Sequence, residues 1–457
     1  MVDAPRMQGI DVPVLRHGAR ADRRRKWSSA AEVVGRYRGY PWAVRWHSVL
    51  LGALAVLCNC GPSLAWDGSS NALLSPHPQR LQPRVLVGLD RLIASRFALL
   101  RSKRVAVVTN HTALSADGRN IVDVLHEAKE VNLVAIFTPE HGFRGQAEGA
   151  VEDMRDPRTG LPVYSLYGRR RKPTAAQLEG VDTLVFDIQD IGCRFYTYIS
   201  TLGLCMEAAE QFGKEIVVLD RPNPINGVAV EGPVLDEGLE SFVGFHTIPI
   251  RHGMTVGEIA NLYRLERYPQ VRLHVVRMQG WQRGMYYNAT ERFWVNPSPN
   301  MRSLRQALLY PGIGLLETTN LSVGRGTDTP FERFGAPWLD AHRLLRQLDG
   351  ENLAGVVFVP VKFTPTSSKY AGSECEGLEV IVTDRSTFEP VRTGLAIARA
   401  LRLTHREQWD MDRYGRLLAD RKLLGLLRRG ASLDAMMEHC REECEEFRMR
   451  RRRALLY

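Results

Sequence analysis

Apolar runs separated by polar turns recur along most of the chain, and their lengths and spacing sort them into strands and helices. Val105-Ala106-Val107-Val108 is a continuous apolar run of strand length, the pattern of a strand buried on both faces. Ile121 to Glu130 repeats its apolar residues at helical spacing. Leu133 to Phe137 reads as the next strand, Thr183-Leu184-Val185-Phe186 as a third and Ile216-Val217-Val218-Leu219 as a fourth, with a helix over Thr201 to Phe212 between the last two. Strands and helices alternating in this order predict an α/β fold with a Rossmann-like, doubly wound, mostly parallel sheet. From about residue 287 the pattern changes. The turn-rich Asn296-Pro297-Ser298-Pro299-Asn300 precedes a helix near Leu304 to Leu309, and Glu317 reads as the end of a strand. Val356 to Val361 and Leu378 to Val382 read as strands, and Pro390 to Leu403 as a helix. These elements predict a second, smaller α/β domain that closes with a charged helix. The expected boundaries are 84–286 for the Rossmann-like domain and 287–457 for the smaller one.

The pattern before residue 84 is of another kind. Val49 to Cys58 is a run of ten residues without a charge, against the roughly 20 that a membrane-spanning helix takes. It follows a basic stretch and precedes Ser63-Leu64-Ala65, with small residues at the two positions a signal peptidase reads. Residues 1–65 are therefore expected to be a basic leader and signal peptide, cleaved after Ala65, and the Ser-, Pro- and Asn-rich residues 66–83 a linker. Lipid attachment at Cys60 is the alternative, disfavoured by Asn59 beside it. The stretch ahead of the apolar run is long for a leader, and a start codon assigned too far upstream accounts for it equally well. The expectation is an exported protein, periplasmic or secreted, with no integral membrane span in its mature form.

Composition narrows the function classes. Hydrophobic residues make up 44% and charged residues 25% of the 457, the balance of a folded soluble protein, which excludes a disordered or collagen-like chain. The formal net charge of +10 invites a nucleic-acid partner. Its distribution removes that reading. Residues 1–48 carry ten Lys and Arg against four acids, and the last ten residues carry five Arg and no acid, so residues 49–447 sum to −1. The basicity sits in the leader and in an Arg-rich end read as a solvated tail, whose candidate partner is an anionic wall or lipid surface. The five cysteines beyond the leader (Cys193, Cys205, Cys375, Cys440, Cys444) show no CxxC and no zinc spacing, and are expected to be buried thiols. No dinucleotide fingerprint, Walker loop, HExxH or nucleophile elbow is present, and Gly324-Arg325-Gly326 lacks the third glycine and the strand-turn-helix setting. Neither a cofactor nor a metal is expected.

In a doubly wound sheet the ligand lies beyond the carboxyl ends of the strands. Three strands end in polar clusters: Glu140-His141, then Asp187-Gln189-Asp190, then Asp220-Arg221-Asn223. Carboxylates, amides, tyrosines and arginines dominate these ends, a palette suited to a hydroxyl-rich ligand such as a carbohydrate.

A set of short segments then lines up with a known family. They are Val107-Val108-Thr109-Asn110, Thr138-Pro139-Glu140-His141-Gly142-Phe143, Asp187-Ile188-Gln189-Asp190-Ile191-Gly192 and Arg194-Phe195-Tyr196-Thr197-Tyr198. Asp220-Arg221-Pro222-Asn223-Pro224, His252-Gly253-Met254-Thr255, Asn296 to Met301 and Glu317 to Thr327 complete the set. Together they cover roughly residues 84–385, in order, and the chain resembles the NamZ-type exo-β-N-acetylmuramidases, glycoside hydrolase family 171, once known only as a bacterial domain of unknown function. The resemblance implies a Rossmann-like catalytic domain with a smaller C-terminal domain, and release of N-acetylmuramic acid from the non-reducing ends of peptidoglycan fragments. The catalytic glutamate of that family matches Glu140. Arg251, where the family pattern leads one to expect proline, and the Arg-rich end depart from it.

On this reading Glu140 is the general acid or base that delivers a proton to the glycosidic oxygen, and His141 holds or tunes it. Asp187 and Asp190 compete for the second carboxylate, unless the sugar's own 2-acetamido group attacks. Tyr196 and Tyr198 can stack on a sugar face or donate hydrogen bonds. Arg194, Arg221 and Arg325 are candidates for the lactyl carboxylate. Asn110, Gln189, Asn223, Asn296, Asn300 and Asn320 offer donors and acceptors to hydroxyl and acetamido groups, and Glu317 is a candidate to reach the cleft from the second domain. Each has a plainer alternative: a loop carboxylate, an internal ion pair for each arginine, turn chemistry for Asn-Pro. A non-catalytic, exported muropeptide-binding protein is the competing function, and an esterase or amidase lacks its nucleophile elbow.

Overall fold

In the computed structural model the described residues are 84–140, 142 and 152–457. The leader, Cys60, the linker and His141 lie outside the described residues. The strands are β1 (Arg104–Thr109), β2 (Asn132–Thr138), β3 (Met154–Arg155), β4 (Pro162–Ser165), β5 (Thr183–Asp187) and β6 (Glu215–Leu219), then β7 (Glu231–Val234), β8 (Pro249–Arg251) and β9 (Arg272–Val276), and finally β10 (Arg333–Ala336), β11 (Val356–Phe363) and β12 (Cys375–Val382). Seven form one sheet in the order β3-β4-β2-β1-β5-β6-β9. Every neighbouring pair in it is parallel except β3 with β4. The fold is thus α/β, with a mostly parallel central sheet and a smaller second sheet, β10-β12-β11, which is antiparallel.

The apolar strands are apolar throughout because both faces are covered. Val105 and Val107 of β1 enter one core, against the helices Gly88–Ala94 and Ile121–Glu127. Ala106 and Val108 enter the other, against the helices Tyr198–Gln211, Val256–Glu266, Leu304–Ile313 and Pro390–Thr404. Leu184 and Phe186 against Val185 in β5, and Ile216 and Val218 against Val217 and Leu219 in β6, repeat the alternation. The second core continues into Phe334 of β10 and Leu378 and Val380 of β12. The helices Leu304–Ile313 and Pro390–Thr404 cross at two glycines. A Cβ on Gly394 would lie 2.6 Å from the Gly312 Cα, so only glycine permits this approach.

The four expected strands of the main sheet and the helices at Ile121, Leu304 and Pro390 stand where the periodicity puts them, while the helix expected over Thr201 to Phe212 runs from Tyr198 to Gln211. Two expectations are corrected. Glu317 lies in a 3-10 turn, Gly314–Thr318, and not at a strand end; the small and flexible Gly314 continues the preceding helix into a tighter turn. The Arg-rich end is not a solvated tail. The helix Leu433–Arg451 lies across β7, and its arginines close off backbone carbonyls. Arg451 is buried and donates to the carbonyls of Gly227, His252 and Gly253, while Arg448 reaches Val230 O and Arg450 reaches Glu266. Tyr457 follows and donates its hydroxyl to buried Asp220 at 2.7 Å. The five described cysteines are buried and free of disulfides, and no helix among the described residues is long and apolar enough to cross a membrane.

The Arg451 contacts generate a test of the fold. Arg451→Met keeps the apolar stem but leaves buried carbonyls unmet, and should lower unfolding stability by roughly 2–3 kcal/mol in urea titrations. An unchanged midpoint would show that the end of the chain does not brace the body.

Candidate active site

Glu140 stands directly beyond β2. The Gly142 amide donates to the Pro139 carbonyl at 3.3 Å, and Gly142 takes φ +70°, closing a tight turn with Glu140 at its corner. That turn opens on a cavity of about 340 Å³. The sheet contributes Glu140 after β2, Tyr167 after β4 and Phe195 to Tyr198 after β5; the loop after β7 adds Ser241 to Val243. The opposite side comes from the C-terminal part: Ser298, Asn300 and Met301 ahead of the helix Leu304–Ile313, Tyr310 on it, then Glu317, Arg325, Phe331 and Arg416.

The Tyr167 phenol lines the same cavity beside the Glu140 carboxylate. Burial and that carboxylate together push it up to about 12, so it remains a proton donor across the physiological range. Tyr198 donates its hydroxyl to the Pro297 carbonyl at 2.6 Å; its phenol is raised by burial, and by Glu140 after that. The rings of Tyr196 and Tyr198 meet edge to face at 5.0 Å, and Tyr310 meets Tyr196 and Phe331 in the same manner. These rings give the cavity an aromatic wall that suits the apolar face of a sugar. Glu317 accepts from Arg325 at 2.5 Å. The cavity therefore holds two carboxylates in different settings, one beside a phenol and one tied to a guanidinium.

Two family models match this chain: exo-beta-N-acetylmuramidase NamZ, N-terminal, over residues 105–305, and its C-terminal counterpart over 308–457. The chain belongs to the NamZ family. It is similar to the peptidoglycan beta-N-acetylmuramidase NamZ of Bacillus subtilis (strain 168), 40% identical over 381 residues, 82% of this chain and 92% of that protein. Two solved DUF1343 family proteins from Bacteroides fragilis NCTC 9343 have the same fold. One superposes with a TM-score of 0.76 at 36% identity and the other with 0.66 at 31%, each over 82% of this chain and 99% of its own.

Of the residues expected at the NamZ site, the cavity gathers Glu140, Tyr196, Tyr198, Asn300, Glu317 and Arg325. The others are held elsewhere. Asp187 is fully buried and paired bidentately with Arg221, at 2.5 and 3.0 Å. Arg221 also donates to Leu114 O, where it meets Arg292, the partner of Asp90. Asp190 accepts from the Gly192 amide at 2.7 Å and faces buried His252 at 3.6 Å. The expectation of Asp187 or Asp190 as a second carboxylate in the cavity is thus corrected: neither lines it, because Arg221 and the Gly192 turn hold them inside. Arg194 is fully buried and donates to four carbonyls, of Pro233, Ile248, Leu417 and Leu418. Burial lowers its guanidinium to about 10, still charged at neutral pH. Neither Arg194 nor Arg221 is therefore free to bind a ligand carboxylate.

The amides divide likewise. Asn110 accepts from the Thr112 amide and hydroxyl, and Gln189 donates to the Asp190 and Pro222 carbonyls. Asn223 spans from the Ile225 amide to Met254 O. Asn320 clamps the Gln408 carbonyl and the Asp410 amide. Asn296 is exposed and offers its carbonyl to His111. Sequence reasoning missed Tyr167, Arg171, Tyr310 and Arg416. Tyr167 was findable: Pro162–Ser165 is a strand beside β2, and the residues after it share the carboxyl edge with Glu140. Arg416 had no local signal.

The Asp187–Arg221 pair can be tested by stability. Asp187→Ala leaves a buried guanidinium uncompensated and should cost roughly 3–5 kcal/mol, with part recovered in Asp187→Leu/Arg221→Met. Lost activity at unchanged stability would instead put Asp187 in the chemistry.

Proposed function

We propose that this chain is an exo-acting glycoside hydrolase that releases N-acetylmuramic acid from the non-reducing ends of peptidoglycan fragments. The observation that carries the reading is Glu140, set on a tight turn beyond the sheet, beside the Tyr167 phenol and facing a cavity that also holds Glu317. A volume of about 340 Å³ is near the lower end of small-molecule sites, roughly 300–1000 Å³, and suits one terminal sugar better than a threaded polymer.

In this reading Glu140 is the general acid. Its turn leaves the carboxyl projecting from the sheet, where it protonates the departing glycosidic oxygen. The Tyr167 hydroxyl, kept protonated by burial and by the carboxylate beside it, is a donor at hand for Glu140 or for the substrate. Glu317, paired with Arg325, faces the positive charge that develops at the anomeric carbon. Water forms the new bond at the anomeric carbon as the old one breaks, either directly or after the substrate's own 2-acetamido oxygen has attacked to form a ring that water then opens; in the second case Glu317 orients and stabilises the acetamido group. Tyr196, Tyr198 and Tyr310 carry the sugar ring, and Asn300 offers an amide to its substituents. A bond-cleaving role fits better than simple sugar binding, because a binding protein has no need of two carboxylates in such different settings.

The test is release of the chromophore from a chromogenic β-N-acetylmuramide. Glu140→Gln preserves size but cannot exchange the proton, and kcat should fall by about 10²–10⁴ with folding intact. Full activity in that variant removes Glu140 from the mechanism, while tight binding of muramyl ligands without turnover in the unaltered protein favours the binding reading.

We also propose that the basic leader and its apolar run direct export, with cleavage after Ala65. Sequencing the mature protein should then read Trp66 first, and retention of the leader in the exported protein would exclude that cleavage.

A further inference from the structure

The cavity carries three arginines, Arg171, Arg325 and Arg416, against two acids, Glu140 and Glu317. Arg325 is committed to Glu317. The Arg171 guanidinium lies over the Phe242 ring, 4.4 Å from its centre. Arg416 is different. Its side chain reaches the cavity, yet its guanidinium has no hydrogen-bond or ion-pair partner among the described residues.

The element that presents it is held firmly. Arg416 lies on the short helical turn Gly415–Leu418. Buried Arg194 grips the Leu417 and Leu418 carbonyls at 2.8 and 2.7 Å, reaching from the loop after β5. Asn320 clamps the chain at Gln408 and Asp410, just ahead of that turn. The backbone on both sides of Arg416 is thus pinned, and a guanidinium on a fixed mount, pointing into a cavity with one surplus positive charge, is arranged to receive a carboxylate.

We propose that Arg416 binds the carboxylate of the lactyl ether on N-acetylmuramic acid, and so makes the site prefer this sugar to one without that group, such as N-acetylglucosamine. The inference rests on the proposed function and specifies what that site reads. Arg194 and Asn320 then act as positioning residues: they do not touch the sugar, but set the turn from which Arg416 reaches it.

The experiment compares three chromogenic β-glycosides: of N-acetylmuramic acid, of its uncharged lactyl amide and of N-acetylglucosamine. In Arg416→Gln, kcat/KM on the acid should fall about 10- to 100-fold, chiefly through KM, with the amide and N-acetylglucosamine substrates unchanged. Arg416→Lys should restore part of the loss, and the melting temperature should stay the same in both variants. An Arg416→Gln variant that keeps the preference for acid over amide overturns the proposal, and so does an equal loss on all three substrates. The proposed function fails separately, if the unaltered protein turns over none of them. Calorimetry with free N-acetylmuramic acid and its amide then decides the point: preference for the acid that disappears in Arg416→Gln upholds the role of Arg416, and its persistence or absence from the outset refutes it.

Discussion

Buried guanidinium groups tie this fold together. Arg194, Arg221, Arg251 and Arg451 are all taken out of water, at a desolvation cost that only several well-aimed acceptors can offset. Each guanidinium offers five N–H donors in a rigid fork. Arg194 and Arg451 spend theirs on backbone carbonyls, Arg221 on Asp187 and Leu114 O, and Arg251 on Glu231 and the Ile225 carbonyl. The carbonyls they reach lie in irregular loops, on the short strand β7 and at the end of the helical turn Gly415–Leu418, where no further ladder or helix satisfies them. Arginine supplies the missing hydrogen bonds, and in doing so joins segments far apart in the chain.

This constraint explains why so many polar strand ends do not meet the ligand. A parallel sheet covered on both faces turns all its carboxyl ends one way, and the loops leaving them must be fixed before any cavity can form. Asp187 and Arg221 neutralise each other in the interior, and Gln189 and Asn223 bind carbonyls across neighbouring loops. The cavity opens beyond this framework, where β2, β4 and β5 release their chains and the C-terminal part closes the far side. Strand-end polarity therefore has two outcomes, scaffold or site, and the second is the smaller.

The C-terminal part supplies the second carboxylate, Glu317, and much of the aromatic wall. It can do so because one core runs without interruption from the main sheet to β10 and β12. The contact of Gly312 with Gly394 draws two helices together and sets the helix that bears Tyr310. The Arg-rich end belongs to the same construction: its arginines close the loops next to β7 and β8, and the formal charge counts there as internal hydrogen bonding more than as surface field.

Periodicity along the chain was enough to read the parallel strands β1, β2, β5 and β6, the main helices and the place of Glu140. A strand buried on both faces must be apolar at every position, and a turn out of such a strand needs residues like Pro139 and Gly142; both are local requirements. The short edge strands β3 and β4 left weaker traces, and Tyr167 went unread with them. Whether an Asp, Asn or Arg at a strand end faces inward or into the cavity is not a local property. Arg194 and Arg325 look alike as residues, yet one meets four carbonyls and the other meets Glu317 in the cavity. That choice depends on which distant loop supplies an acceptor, and acceptors from residues 223 or 224 positions away come together only when the chain has folded.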